Sequence, residues 1–513
     1  MSGSKAFNAK KRLTQTRRQM KNTLWILRMN NHVELRGLLP DGLWSAFADL
    51  NAIPRPSKNE AAISNFIVQR GKKLGLETVV DSIGNVLIRK PATPGYENHP
   101  PLVLQSHLDM VWQKNADCNF DFETQGIQMV VEGDWVRAEG TTLGADNGIG
   151  VASILTVLAS KSIKHPPLEC LFTIDEETGM SGAKAIDSSW LKGRVLLNLD
   201  TEQDNELTIG CAGGADVTAN AAYTSEPCKP AWSFFQWTVR GLAGGHSGME
   251  IHLGRGNANK IMNRLLWQAA SKFGLRVSRI EGGSLRNAIP RESTAVVSMP
   301  VENFGPCLEW LANETATLQH ENSVTDPQLQ IASAPVDGKF ELLPLEMQRT
   351  LLAVIDGSLS GIYRMSPSIP GLVQTSNNLA RVVAGDGRIS VMCLARSSVN
   401  SERDELTRNL TSVLELLGGT VEVTGDYPGW QPEPTSQLVQ KMTALYKEMF
   451  SGDPHVAACH AGLECGIIGD KFPGMEMISF GPNILGAHSP DERVQISSVQ
   501  KFWRFFTETL ARL

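Results

Sequence analysis

The sequence predicts an α/β protein: a mostly parallel central sheet with helices between its strands, interrupted by an inserted α+β domain. Three observations carry this expectation. Short apolar runs bounded by turn residues read as strands: TVVDSIGNVLIRK (78–90), PLVLQSH (101–107), LECLFTI (168–174), RVLLNLD (194–200) and MEMISFG (475–481). Helical patterns such as Ile149–Ala159 and Ser181–Ile186 separate several of them, as an α/β sheet requires. Between about Ala212 and Asp426 the texture changes to alternating strand patterns and longer amphipathic helices.

The elements follow in order. DGLWSAFADLNAI (41–53) has helical period, and PRPSKNEAAISNFIVQRGKKLG (54–75) restarts a helix after a proline-rich break. Within the inserted region, FFQWTVRGL (234–242) reads as a strand and NANKIMNRLLWQAASKF (257–273) as a helix entered through Asn257 and Asn259. RISVMCLARS (388–397) and SERDELTRNLTSVLELLG (401–418) form a second strand-and-helix set. The expected division is a first domain over 39–211, the insertion over 212–426, and a return to the first domain over 427–513.

Residues 1–33 contain no Asp or Glu but carry Lys5, Lys10, Lys11, Arg12, Arg17, Arg18, Lys21 and Arg28. Residues 1–38 are therefore expected to be a basic, disordered extension. A transit peptide or a mis-assigned start, with Met20 or Met29 as the true one, are the alternative readings.

Composition limits the function. The chain has 513 residues, 42% hydrophobic and 20% charged, which is globular usage and too long for one ordinary core. A net charge of −6 gives no basic field for nucleic acid or anionic membrane. No apolar run reaches the length of a membrane span. Eight cysteines without a CxxC pair suit a reducing, cytoplasmic setting.

The polar residues that matter stand at or beyond the C-terminal ends of apolar strands, the edge where open α/β sheets bind ligands. His107 ends PLVLQSH and Asp109 follows it; Glu176 and Glu177 follow LECLFTI; Asp200 ends RVLLNLD; His488 follows MEMISFG in GPNILGAHSPDE. Asp146 lies in GTTLGADNGIGVAS (140–153), where an Asp before a helix is ordinarily an N-cap. Taken singly, each has an ordinary structural role. Together, two histidines and three carboxylates are the donor types that a pair of divalent metals takes. A further carboxylate, Glu176, is left to act on water, and Asp109 to orient an imidazole.

The motifs VLQSHLDMVWQK, RAEGTTLGADNGIGVAS, TIDEETGMSGA, LLNLDTE, IGCAGG, GGHSGMEIHLGRGNANK, GGSLRNAIPRE, YPGWQP, CHAGLECGI and GPNILGAHSPDE resemble, in this order, those of the dinuclear-zinc M20 metallopeptidases. The resemblance is closest to the aminoacyl-histidine dipeptidase branch and runs from about Leu39 to the C-terminus. It implies a zinc-peptidase-type catalytic domain with the insertion as a lid that closes over the site.

By resemblance, His107 and Asp200 hold one metal, Glu177 and His488 the other, and Asp146 bridges them. Glu176 is implied as general base, Asp109 as the group orienting His107, and His246 as the lid histidine that stabilises the oxyanion. Arg396 is implied to hold the substrate's C-terminal carboxylate, with Asn287 a further substrate contact. The implied cofactors are two divalent ions per chain, Zn2+ by family and Mn2+ or Co2+ as substitutes.

The implied partners are dipeptide substrates, aminoacyl-histidine among them, with no nucleic acid or membrane. Homodimerisation through the lid is also implied, unless so large an insertion contains a duplicated lobe that imitates the partner. Other M20 reactions, N-deacylation or carboxypeptidase cleavage, are the alternative, and a non-catalytic descendant would have lost ligands or the base. Trp112 and Asp175 depart from the family's Pro and Thr beside the site, which bears on pocket shape.

Overall fold

The computed structural model describes residues 29–230 and 232–513. The described residues divide into two compact units: 29–209 with 433–457 and 463–513, and 210–230 and 232–432 with 458–462.

The first unit is built on an eight-stranded sheet. Its order is Glu77–Val80, Val86–Lys90, Leu168–Thr173, Leu102–His107, Val195–Asn198, Glu476–Ser479, Glu206–Cys211 and His455–Cys459. The four central strands, from Leu168–Thr173 to Glu476–Ser479, run parallel. Strands Leu102–His107 and Leu168–Thr173 are buried at every position, which is why they read as continuous apolar runs rather than alternating ones. TVVDSIGNVLIRK is an antiparallel hairpin, turned by Asp81, whose carboxylate accepts from the N–H groups of Ile83, Gly84 and Asn85. Helix Ala145–Ala159, hydrophobic nearly all round, lies buried in this unit.

A four-stranded antiparallel sheet (Ile484–Leu485, Arg493–Gln495, Trp135–Ala138, Met129–Glu132) also belongs to the first unit. Its edge corrects one expectation. Residues 1–28 lie outside the described residues, but 29–34 are helical and pack onto this edge. The buried Asn31 donates to Ile127 O at 3.0 Å and accepts from Met129 N at 3.1 Å, and Glu34 accepts from Val131 N at 2.9 Å. Side chains thus satisfy edge N–H groups that would otherwise face outward. The low acid content of the segment concealed this, because one asparagine and one glutamate suffice.

The second unit holds a continuous nine-stranded antiparallel sheet. Helices Ala258–Phe273, Val301–Glu321, Leu345–Gly357 and Asn400–Leu414 contribute Leu265, Leu266, Leu311, Leu351 and Leu406 to a core with Trp237, Val277, Leu379 and Val391 of the strands. Asn257 caps the first of these helices, accepting from Asn259 N and Lys260 N. The segment 458–462, far along the chain, belongs to this unit: Ala212 N donates to Ala461 O at 2.9 Å.

Candidate metal centre

Parallel pairing aligns the ends of the central strands. His107 is in register with Thr173, just ahead of the loop carrying Glu176 and Glu177, and Gln105 with Asn198, just ahead of Asp200. Their side chains therefore converge despite wide separation in sequence. His107 Nε2 lies 3.1 Å from Asp146 Oδ1 and 3.3 Å from Asp200 Oδ1. His488 Nε2 lies 3.3 Å from Asp146 Oδ2 and 3.1 Å from Glu177 Oε2. The Asp146 carboxylate thus faces one histidine with each oxygen, and each histidine meets a second carboxylate. His107, Asp146, Glu177, Asp200 and His488 all come together.

This arrangement corrects the N-cap reading of Asp146. Asp146 (ψ 111°) and Asn147 (φ −103°, ψ 32°) depart from helical geometry, and the Asp146 carboxylate points to the histidines instead of the helix's N–H groups. Glu492 takes the capping role. Its carboxylate accepts from the backbone N–H groups of Leu143, Gly144, Ala145 and Asp146. Asn147 donates to Leu199 O at 2.6 Å and to the Asp200 carboxylate.

Asp109 is fully buried and does more than orient an imidazole. It accepts from Glu176 N at 3.0 Å, Glu177 N at 3.2 Å and Ser57 Oγ at 2.8 Å, with its Oδ1 3.4 Å from His107 Nδ1. One carboxylate thereby ties the His107 strand to the Glu176–Glu177 loop. Asp175 fixes the same loop, accepting from Lys58 Nζ, Thr178 Oγ1 and Ser181 Oγ. Asp175, expected to depart from the family pattern, thus braces the loop, while Trp112 is exposed.

The electrostatics call for added positive charge. Burial pushes the carboxyls of Glu176, Glu177 and Asp200 upward, and neighbouring carboxylates add to the shift. Burial likewise raises Glu202 and Glu464 to about 8 and Glu492 to about 7. His488 is raised to about 11, first by its hydrogen bonds to Asp146 and Glu177, and His107 rises well above its ordinary value against burial because of Asp200, Asp109 and Asp146. His107 Nδ1 donates to Asp109 O at 3.2 Å, so Nε2 of the neutral ring is a lone pair facing carboxylate oxygens. Such acceptor-to-acceptor contacts stand only with a proton or a cation between them. Glu177 Oε1 is buried with no hydrogen-bond partner. Imidazole nitrogens and carboxylate oxygens at these spacings fit a pair of borderline divalent cations.

The remaining expected residues lie in the second unit. His246 Nδ1 accepts from Gly248 N at 3.2 Å and Met249 N at 3.0 Å, which assigns the ring proton to Nε2 and makes that nitrogen a donor. Asn287 is exposed in the loop beside it, its carbonyl accepting from Ser247 N at 2.7 Å. Arg396, 5% exposed, donates to the Tyr427 hydroxyl at 3.0 Å, and its Nε has no partner. Among the described residues no carboxylate forms an ion pair with it. His460, raised by no expectation from sequence, is buried beside this group, with Nε2 2.7 Å from Ser376 Oγ. Burial, then Arg396, His246 and His252, drive its pKa down to about 3, so it is neutral.

Imidazoles and carboxylates gathered beyond the sheet's C-terminal edge point to a divalent-metal site, and the family match makes the class a metal-dependent hydrolase. The model of peptidase family M20/M25/M40 matches residues 103–512, and the chain belongs to that family. It is 41% identical over 480 residues to the cytosol non-specific dipeptidase of Escherichia coli (strain K12), covering 94% of this chain and 99% of that one. The crystal structure of aminoacylhistidine dipeptidase from Vibrio alginolyticus superposes with a TM-score of 0.87 at 42% identity, over 94% of this chain and 98% of that one. Aminopeptidase PepT from Bacillus cereus shares the fold, with a TM-score of 0.55 at 16% identity over 92% of this chain and 98% of that one. Among the described residues no helix is long and apolar enough to cross a membrane.

Proposed function

We propose that the chain hydrolyses dipeptides with a free amino terminus, aminoacyl-histidines among them, using two divalent cations, zinc by preference. The observation that carries this reading is the Asp146 carboxylate set between His107 and His488, with Asp200 and Glu177 completing the two groups. His107 and Asp200 would hold one cation, His488 and Glu177 the other, and Asp146 both. Bound there, the cations supply an acidified water and a polarised carbonyl.

The other steps fall to this chain's own side chains. Glu176 takes the water's proton and returns it to the leaving amine, as general base and then general acid. Its backbone N–H, held by Asp109, fixes where that carboxylate starts from. His246 offers its Nε2–H to the oxyanion that develops on the carbonyl oxygen. Arg396, a buried cation with no carboxylate in ion-pair contact, receives the substrate's C-terminal carboxylate through its guanidinium fork. Asn287 adds a polar contact to the substrate. The dipeptidase names of the Escherichia coli and Vibrio relatives support the substrate class, and the former supports a cytosolic setting. Homodimerisation through the second unit, or a duplicated lobe there standing in for the partner, belongs to this reading.

The test is a panel of dipeptides, N-acetylated dipeptides and tripeptides on the purified, zinc-loaded protein. Free dipeptides should be cleaved and the N-acetylated series spared. Efficient cleavage of the acetylated series would instead assign the chain to deacylation or carboxypeptidase chemistry.

A further inference from the structure

We infer that Glu492 and Arg55 are positioning residues: a buried anion and a buried cation that together set the Leu143–Asp146 turn and so aim the Asp146 carboxylate. The inference rests on reading Asp146 as the bridging ligand. Neither residue hydrogen-bonds a proposed ligand side chain; each holds the turn mainly through backbone groups, while the Arg55 charge also acts on Asp146 and Glu177.

Glu492 is 2% exposed and lies between His488 and strand Arg493–Gln495. Its Oε2 accepts from Leu143 N at 2.6 Å and Gly144 N at 2.8 Å, and its Oε1 from Ala145 N at 2.7 Å and Asp146 N at 3.3 Å. Each oxygen therefore serves two successive N–H groups, and the segment that carries His488 is bonded to the segment that carries Asp146.

Arg55, also 2% exposed, joins the third segment. Its Nη1 donates to Leu108 O at 3.1 Å and Asp109 O at 3.2 Å, directly after His107, while Nη2 donates to Gly144 O and Asn51 Oδ1. The glycines of GTTLGADNGIG follow from this. A Cβ at Gly144, where φ is +71°, would fall 2.5 Å from Nη2, and one at Gly148 would fall 2.7 Å from it. The guanidinium occupies the room that side chains at these positions would need.

Only a carboxylate fits the anionic position. In Glu492→Gln one acceptor becomes an NH2 donor facing two N–H donors, so two hydrogen bonds are lost and two donor pairs are opposed. Glu492→Asp keeps both acceptor oxygens on a shorter arm. Arg55→Lys replaces a fork that reaches three carbonyls by a single ammonium.

The experiment is a zinc titration against a competing chelator, made on full-length wild type, Glu492→Gln, Glu492→Asp, Arg55→Lys and Asp146→Asn, with circular dichroism on each metal-free protein. Residues that orient metal ligands from behind change affinity by about 10–100-fold. Folded Glu492→Gln and Arg55→Lys should bind zinc about 10–100-fold more weakly, with Glu492→Asp recovering part of the loss. Their kcat should fall at unchanged KM and return partly at saturating zinc.

Wild-type zinc affinity in Glu492→Gln, beside a defective Asp146→Asn, would overturn the inference and leave the bridging reading standing. Equal zinc binding by wild type and Asp146→Asn would overturn both. Unfolding of both Glu492 variants would assign the residue to the fold as a whole and overturn the local role.

Discussion

The candidate sites of the two units are opposite in charge. In the first unit Asp146, Glu176, Glu177, Asp200, Glu202, Glu464 and Glu492 crowd around two histidines and Arg55, and burial drives most of these carboxyls upward. In the second, Arg396 is buried with no carboxylate in ion-pair contact, its charge felt by the half-buried Asp216 that Arg286 pairs with, beside a donor imidazole at His246 and a neutral one at His460. A buried charge short of counter-charge is costly, and on the proposed reading each group takes a ligand of the opposite sign. The first suits cations. The second, on the same reading, takes a carboxylate and a developing oxyanion, the two anionic features of a dipeptide undergoing hydrolysis.

Substitutions can break this comparison from either side. The largest expected effect is on the anionic side: Glu176→Ala should lower kcat on aminoacyl-histidine by about 10²–10⁴-fold, the usual worth of a general acid–base group, with the metal content unchanged. Steady-state kinetics with metal analysis on the same sample checks both halves. His246→Ala should cost about 10²–10³-fold in kcat with little change in KM, the pattern of a donor used only as charge develops. An effect confined to KM would return His246 to a loop-forming role.

Arg396→Ala should cost about 10–100-fold in kcat/KM on dipeptides, from charge-assisted hydrogen bonds worth about 1.5–3 kcal/mol. On C-terminal amides the wild type and the variant should perform alike. Equal losses on both substrates would remove the carboxylate from the argument. The smallest effect belongs to Asn287→Ala: about 2–10-fold in KM, as one neutral hydrogen bond from an exposed residue allows.

Legibility in the sequence followed where each residue's job is done. His107, Glu177, Asp200 and His488 could be grouped because each polar residue breaks or follows an apolar strand, and parallel pairing makes strand ends neighbours. Asp146 was ambiguous, since an Asp before a helix serves equally as cap or ligand, and only the position of Glu492 on those N–H groups removes the cap reading. Glu492, Arg55 and Asn31 were invisible for one shared reason. Their side chains bond to backbone groups of distant segments, and backbone leaves no residue type to match.

The extent of the nine-stranded sheet was hidden too. Its register depends on pairings such as Arg396 with Gly214 and Tyr427 with Gly214, between strands far apart in the chain. His460 sits on a five-residue return to the second unit, too short to register as a change of texture.

The central claim is that two cations share Asp146. Metal analysis of active, full-length protein, paired with its Asp146→Asn variant, tests it most directly. The account predicts two divalent ions per chain in the wild type and the loss of both tight sites in the variant. Full activity with no more than one ion per chain would contradict it.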